Sequence, residues 1–247
     1  MDTAAGELRP MGWGASLIAF GAPAGLLAIL VWVVLPWLHG RGAPPVLVFA
    51  LLGLPFLLML AATLVVYRRE GGRPTWRAFR ERVRLGGVDR RLAGWIAALS
   101  VTGIALYMGA AHLVDALLPD AAFPEVVGKV LGDSTTFLGT PMKGAWWLLG
   151  AWFLFYVSNV AGEELWFRGI VLPRQELSFG RSTWAIHGAL WAAWHAALFP
   201  ADALIILPEG LAYGWVCQRT RSLWPTFLAH AVLNALAAIR IVSGILG

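Results

Sequence analysis

Apolar windows near residues 13–38, 46–67, 92–118, 144–167, 183–199, 203–218 and 224–246 recur along the whole chain. A hydrocarbon layer ~30 Å thick takes about 20 helical residues to cross. Within it, an open chain satisfies its backbone hydrogen bonds only as a helix. The pattern predicts an all-α fold, a polytopic transmembrane bundle of about seven spans forming one integral membrane domain over residues 1–247. Composition agrees: 59% of the residues are hydrophobic and 13% charged, where a soluble domain carries roughly 25% charged residues. The first window is too long for a signal-peptide core and is expected to remain as a membrane helix.

The charge that is present is unevenly placed. Nine arginines lie between Arg68 and Arg91, in a chain of net charge +5. Beside a hydrophobic segment, such a run suits the lipid bilayer's anionic surface and argues against nucleic acid as the partner. The positive-inside rule places it in the cytoplasm. Counting spans outwards puts "LPRQELSFGRS" and "CQRTRSL" on that side too, with a cytoplasmic N-terminus and the 119–143 loop outside. Among the arginines, Trp76, Phe79 and Val83 recur at helical spacing, which fits either an interfacial amphipathic helix or a solvated basic loop. The single cysteine, Cys217, excludes an intramolecular disulfide and a cysteine-based zinc cluster. Of the 19 basic residues 17 are arginine, a usage that suggests GC-rich coding and a bacterial inner (cytoplasmic) membrane.

Ionisable groups inside a membrane are costly, and those retained usually face a cavity. In "VAGEELWFRG" Glu164 and Arg168 share a helical face at i,i+4 spacing and can neutralise one another, which leaves Glu163 as the free carboxylate. The blander reading puts all three at a cytoplasmic rim. His195 in "WAAWH" reads singly as a packed histidine, and His230 with Asn234 in "HAVLN" as a polar pair joining helices. Jointly they place a carboxylate, two imidazoles and an amide on three membrane helices. Carboxylate plus imidazole can activate water, and imidazole and carboxamide N–H groups can donate to an oxyanion, which are the requirements of amide hydrolysis. Neither a Gly-x-Ser-x-Gly elbow nor a His-Glu-x-x-His helix is present. Glu209 in "LPEGL" occupies an expected apolar position, as a substrate contact or a helix cap, and His187 reads as a bystander.

These three motifs, Glu-Glu-x-x-x-Arg, aromatic-x-x-x-His and His-x-x-x-Asn, occur in that order over residues 163–234, under a third of the chain. The segment resembles the CPBP intramembrane protease family, which includes the type II CAAX prenyl endopeptidases. The resemblance implies an intramembrane endopeptidase with a catalytic cavity inside the membrane. Glu163 and His195 would activate water, Glu164 and Arg168 would hold the geometry, and His230 with Asn234 would stabilise the oxyanion. It leaves open Zn²⁺ held by Glu163, Glu164, His195 and His230, although a metal-free glutamate mechanism is the favoured reading. Its partners would be a membrane-anchored or lipid-modified protein or peptide, met by walls that include Trp166, Trp191 and Trp194. Bacterial members of such families serve bacteriocin immunity, peptide maturation and, in a myxosortase-like branch, removal of C-terminal sorting segments. The rival class is a non-enzymatic scaffold or a small transporter using the same polar cavity.

Overall fold

A computed structural model of the chain describes residues 8–118, 135–137 and 140–247. Most of the loop assigned above to the outer face, including Asp120, Glu125 and Asp133, lies outside the described residues. In chain order the helices are α1 (Trp13–Ile29), a π-helical turn (Leu30–Val34), α2 (Leu35–His39), α3 (Pro45–Arg69), α4 (Trp76–Arg82) and α5 (Arg90–Leu117). A two-stranded antiparallel ribbon, β1 (Thr136–Phe137) with β2 (Thr140–Pro141), follows. The remainder is α6 (Trp147–Glu163), a second π-helical segment (Glu164–Val171), α7 (Leu172–Phe179), α8 (Thr183–His195), α9 (Asp202–Thr220), α10 (Trp224–Ala235) and α11 (Ala237–Leu246).

The protein is an all-α integral membrane protein. Large apolar side chains point outwards, with Ile18 and Val101 each 70% and Leu154 72% exposed, a surface suited to lipid rather than water. Among the described residues four stretches are long and apolar enough to cross a membrane: Trp13–His39, Val46–Arg69, Arg90–Leu117 and Trp224–Leu246. The other three expected windows take a different form. α6 has 17 residues before its π segment, α8 has 13, and α9 carries Asp202, Glu209 and Arg219 within its 19. Polar groups interrupt these windows, and it is these helices that bring most of the motif residues together.

Close backbone approach fixes their arrangement. α8 packs along α9, α10 along α5, and α3 along α6. A Cβ built on Gly188 would stand 2.6 Å from the carbonyl oxygen of Gly210, so α8 and α9 meet backbone to backbone. A Cβ on Gly162 would likewise fall 2.6 Å from the Phe56 oxygen on α3, immediately before Glu163.

Two boundaries differ from the sequence expectation. The fourth span was expected to end near Arg168, but the chain stays helical to Phe179, where Gly180 turns it at φ +56°. Arg168 is therefore an interior residue, 0% exposed, and not a snorkelling rim residue. At 1.5 Å per residue Glu163 lies roughly 24 Å before Phe179, and His195 roughly 18 Å beyond Thr183, so the two arms of this hairpin carry both residues deep. The second difference is Glu209, which sits inside α9 and is fully buried, so it caps nothing.

The basic linker is docked on the bundle. Thr75 caps α4 by accepting from the Ala78 N–H, and Phe79 and Val83 bury against Tyr67, Ile170 and Leu223. Trp76 stacks on Phe79 at 5.7 Å between ring centroids and stays 65% exposed. Arg82 pairs with Glu70 through two hydrogen bonds and donates a third to the Gly169 carbonyl at 2.9 Å. Arg174 also binds Glu70, which ties α7 to the end of α3.

Candidate active site

The π segment matters because it carries the second glutamate and the arginine of the first motif. Insertions of this type in α-helices occur frequently at functional sites. Glu163, the last residue of α6, is 2% exposed. Its two carboxylate oxygens accept from the Asn159 amide and the Trp191 indole N–H, each at 2.8 Å. Both donors are neutral, and a carboxylate has about four lone-pair positions, so acceptor capacity remains.

Glu164 is held quite differently. It is 0% exposed and accepts from the Arg168 guanidinium, from the Thr226 hydroxyl at 2.8 Å and from His230 Nδ1 at 3.0 Å. Thr226 and His230 are one turn apart on α10, so that helix is clamped to Glu164 twice. The guanidinium of Arg168 lies over the Trp191 ring at 4.1 Å and over Tyr213 at 5.3 Å. Two π faces thus help to stabilise a cation that is fully buried.

The directions of the bonds follow from Glu163. An ionised carboxylate only accepts, so the Asn159 Nδ2 faces it and the Asn159 Oδ1 must receive its own bond elsewhere. That bond comes from Asn234 Nδ2 at 2.7 Å. The same Nδ2 lies 3.0 Å from His230 Nε2, which makes Nε2 the acceptor and leaves the His230 proton on Nδ1, aimed at Glu164. One hydrogen-bonded chain therefore joins the two glutamates through Asn159, Asn234 and His230. In this arrangement both Asn234 amide hydrogens are engaged.

His195 occupies the end of α8. Its Nδ1 lies 2.8 Å from the Trp191 carbonyl oxygen, and because a carbonyl cannot donate, Nδ1 carries the proton. In the neutral ring Nε2 is then the basic atom. Trp191 links the two halves of the first pairing: its indole N–H holds Glu163 while its carbonyl orients His195.

The six residues singled out in the sequence thus fall into one connected region, in which Trp191 joins His195 to Glu163 and the Asn159 chain joins the rest. Asn159 and Thr226 were not anticipated. Asn159 had a visible signal, being a carboxamide one turn before Glu163 in a largely apolar helix; Thr226 had none, since a threonine on a membrane helix usually bonds its own backbone, as Thr226 also does to Leu223. The aromatic walls take separate roles: Trp166 donates to the Ala19 carbonyl on α1 at 3.0 Å, Trp191 works inside the polar network, and Trp194 is 2% exposed. His187 is occupied with Gln175, which in turn binds Ser16.

The metal alternative can be tested on donor placement. Among the described residues no group of three or more His, Cys, Asp or Glu side chains is placed to hold a metal ion. Glu164 already receives three donors, and His230 Nδ1 spends its proton on it, so the set Glu163, Glu164, His195 and His230 is not arranged as a ligand shell.

The model of the type II CAAX prenyl endopeptidase Rce1-like family matches residues 145–236. No match was found among the curated proteins or among the solved structures. The matched segment runs from the start of α6 to the end of α10 and contains every hydrogen bond that links the two glutamates, His195, His230 and Asn234. Over this segment, a little more than a third of its length, the chain is similar to the Rce1-like type II CAAX prenyl endopeptidases, and the match supports an intramembrane protease of the CAAX type.

Proposed function

We propose that Glu163 is the general base, assisted by His195, in a metal-free hydrolysis of a peptide bond within the membrane. The observation that carries this reading is the unequal treatment of two adjacent carboxylates. Glu164 is saturated by a cation, a hydroxyl and an imidazole N–H, while Glu163 is positioned by two neutral donors and keeps lone pairs to spare. A water held by Glu163 and by His195 Nε2 gives its proton to the carboxylate as its oxygen bonds the scissile carbonyl carbon. The oxyanion forms against Asn234 and His230, once Asn234 releases one of its present acceptors and His230 Nε2 has taken a proton from solvent before the reaction, a proton it keeps throughout the cycle. Collapse breaks the C–N bond, and the proton collected by Glu163 passes to the departing amine.

The substrate proposed is a membrane-anchored or lipid-modified protein or peptide, with C-terminal sorting-segment removal or peptide maturation as the biological setting. The proposed location is a bacterial inner membrane with a cytoplasmic N-terminus, supported by the nine arginines of the docked linker. Incubating the purified protein in bilayers with a membrane-spanning peptide in heavy-oxygen water tests the chemistry. One heavy oxygen is expected in the new carboxylate with or without a chelator. Loss of cleavage on chelation would overturn the metal-free route.

A further inference from the structure

A cavity of about 560 Å³ opens where the ends of α5, α9 and α10 meet the segment after α4. It is separate from the site above. Arg84, Arg91, Arg219 and Arg221 line it, against Glu81 and Asp89. Most of that charge is accounted for: Arg84 binds Glu176 through two hydrogen bonds, Glu81 pairs with Arg77, and Asp89 caps α5 by accepting from the Leu92 N–H. Among the described residues Arg91, Arg219 and Arg221 have no ion-pair partner, and they come from two different segments of the chain.

The rim is built rather than incidental. The Leu223 N–H donates to the Arg84 carbonyl at 2.9 Å, and the Trp224 indole donates to the Gly86 carbonyl at 2.7 Å. Arg84 and Arg221 both sit at positive φ, 62° and 51°, a conformation that side-chain-bearing residues seldom adopt. They are the described non-glycine residues that do so, and both face this one cavity. Strained backbone of this kind tends to persist where surrounding structure holds it for a purpose.

Its depth and walls indicate the ligand. Arg90 and Trp224 begin two of the membrane-spanning stretches, so the cavity lies at the level where a bilayer changes from hydrocarbon to headgroup. Trp95, in its wall, meets Trp215 edge to face at 5.6 Å, and Trp215 is 42% exposed on the lipid side. Interfacial tryptophans occupy this level in membrane proteins. We propose that the cavity binds the phosphate headgroup of an anionic membrane lipid, whose acyl chains descend along the Trp95 and Trp215 face. Because the same rim begins α10, which carries Thr226 and His230, the bound lipid would brace the helix that clamps Glu164.

The detergent-solubilised full-length protein is titrated with phosphatidylglycerol, phosphatidylcholine and inorganic phosphate, and retained ligand is counted by native mass spectrometry. Phosphatidylglycerol is expected to be retained over the other two. Removing an arginine is expected to weaken it about fivefold per residue, so R219Q/R221Q loses about 25-fold. R69Q/R181Q, an equal charge change outside the cavity, is expected to leave retention unchanged. Equal losses in the two double variants, or unchanged retention in R219Q/R221Q, would overturn the site. Inorganic phosphate competing at the lipid's own concentration would overturn the lipid assignment. Should R219Q/R221Q fail to fold, R91Q carries the same comparison with an expected fivefold loss.

Discussion

Glu163 and Glu164 are neighbours in sequence and opposites in chemistry, because one helical step turns the first towards α8 and the second towards Arg168 and α10. Removing one member of a buried ion pair leaves the other charge uncompensated, which costs about 3–5 kcal/mol. Glu164→Gln is therefore expected to destabilise the protein by that amount, read as a lower unfolding midpoint in detergent. Asn159 acts through Glu163. Asn159→Ala is expected to lower kcat about 10²-fold through misplacement of the base, with KM and the unfolding midpoint nearly unchanged. Asn159→Asp is expected to be worse than Asn159→Ala, since it sets a carboxylate against Glu163; a stability loss without a kcat loss in either variant would remove Asn159 from the positioning role. Much of this site was legible beforehand, since i,i+4 spacing alone separates Glu164 with Arg168 from Glu163. The bonds of Asn159 and Thr226 were not, because the first crosses to Asn234, 75 residues away, and the second to Glu164, 62 residues away.

At the scale of elements, helix existence followed from hydropathy while helix ends did not. The apolar window stops at residue 167, yet the chain stays helical through the π segment and α7 to Phe179, with Thr226 and His230 of α10 bound to Glu164 and Arg82 of α4 bound to the Gly169 carbonyl. Around α8 and α9 the helices α1, α5, α7 and α10 take the place of lipid, which explains how helices too short or too polar to be ordinary spans are retained. Their contact depends on Gly188. Gly188→Ala forces a Cβ against the Gly210 backbone and is expected to cost about 1–3 kcal/mol as overpacking, with activity falling in step because Trp191 and His195 ride on α8. An unfolding midpoint equal to that of the parent would show that the α8–α9 approach has room to spare.

For the whole molecule, the arginine-rich linker was readable as a topology signal but not as a docked element. The packing of Val83 against Gly169 and the Arg82 bond to the Gly169 carbonyl attach it directly to the π segment that carries Glu164 and Arg168. Glu70 is the hub. Burial by itself would raise its pKa, but the hydrogen bonds and charges of Arg82 and Arg174 more than reverse that, holding the carboxyl below the ordinary 4.5. A carboxylate with a depressed folded-state pKa stabilises fully above its unfolded value and loses that contribution as pH falls through the folded one. The unfolding midpoint is thus expected to drop on acidification below about 4.5, and Glu70→Gln to be less stable at neutral pH with a flatter acid limb; parallel profiles for the two proteins would contradict the latch. The proposed division of labour between the two glutamates is tested most directly by turnover of one membrane peptide by the parent, Glu163→Gln and Glu164→Gln, with the unfolding midpoint of each. Glu163→Gln is expected to keep its midpoint and lose activity by about 10²–10⁴-fold, the scale of a missing general base. Parental turnover by a folded Glu163→Gln would contradict it.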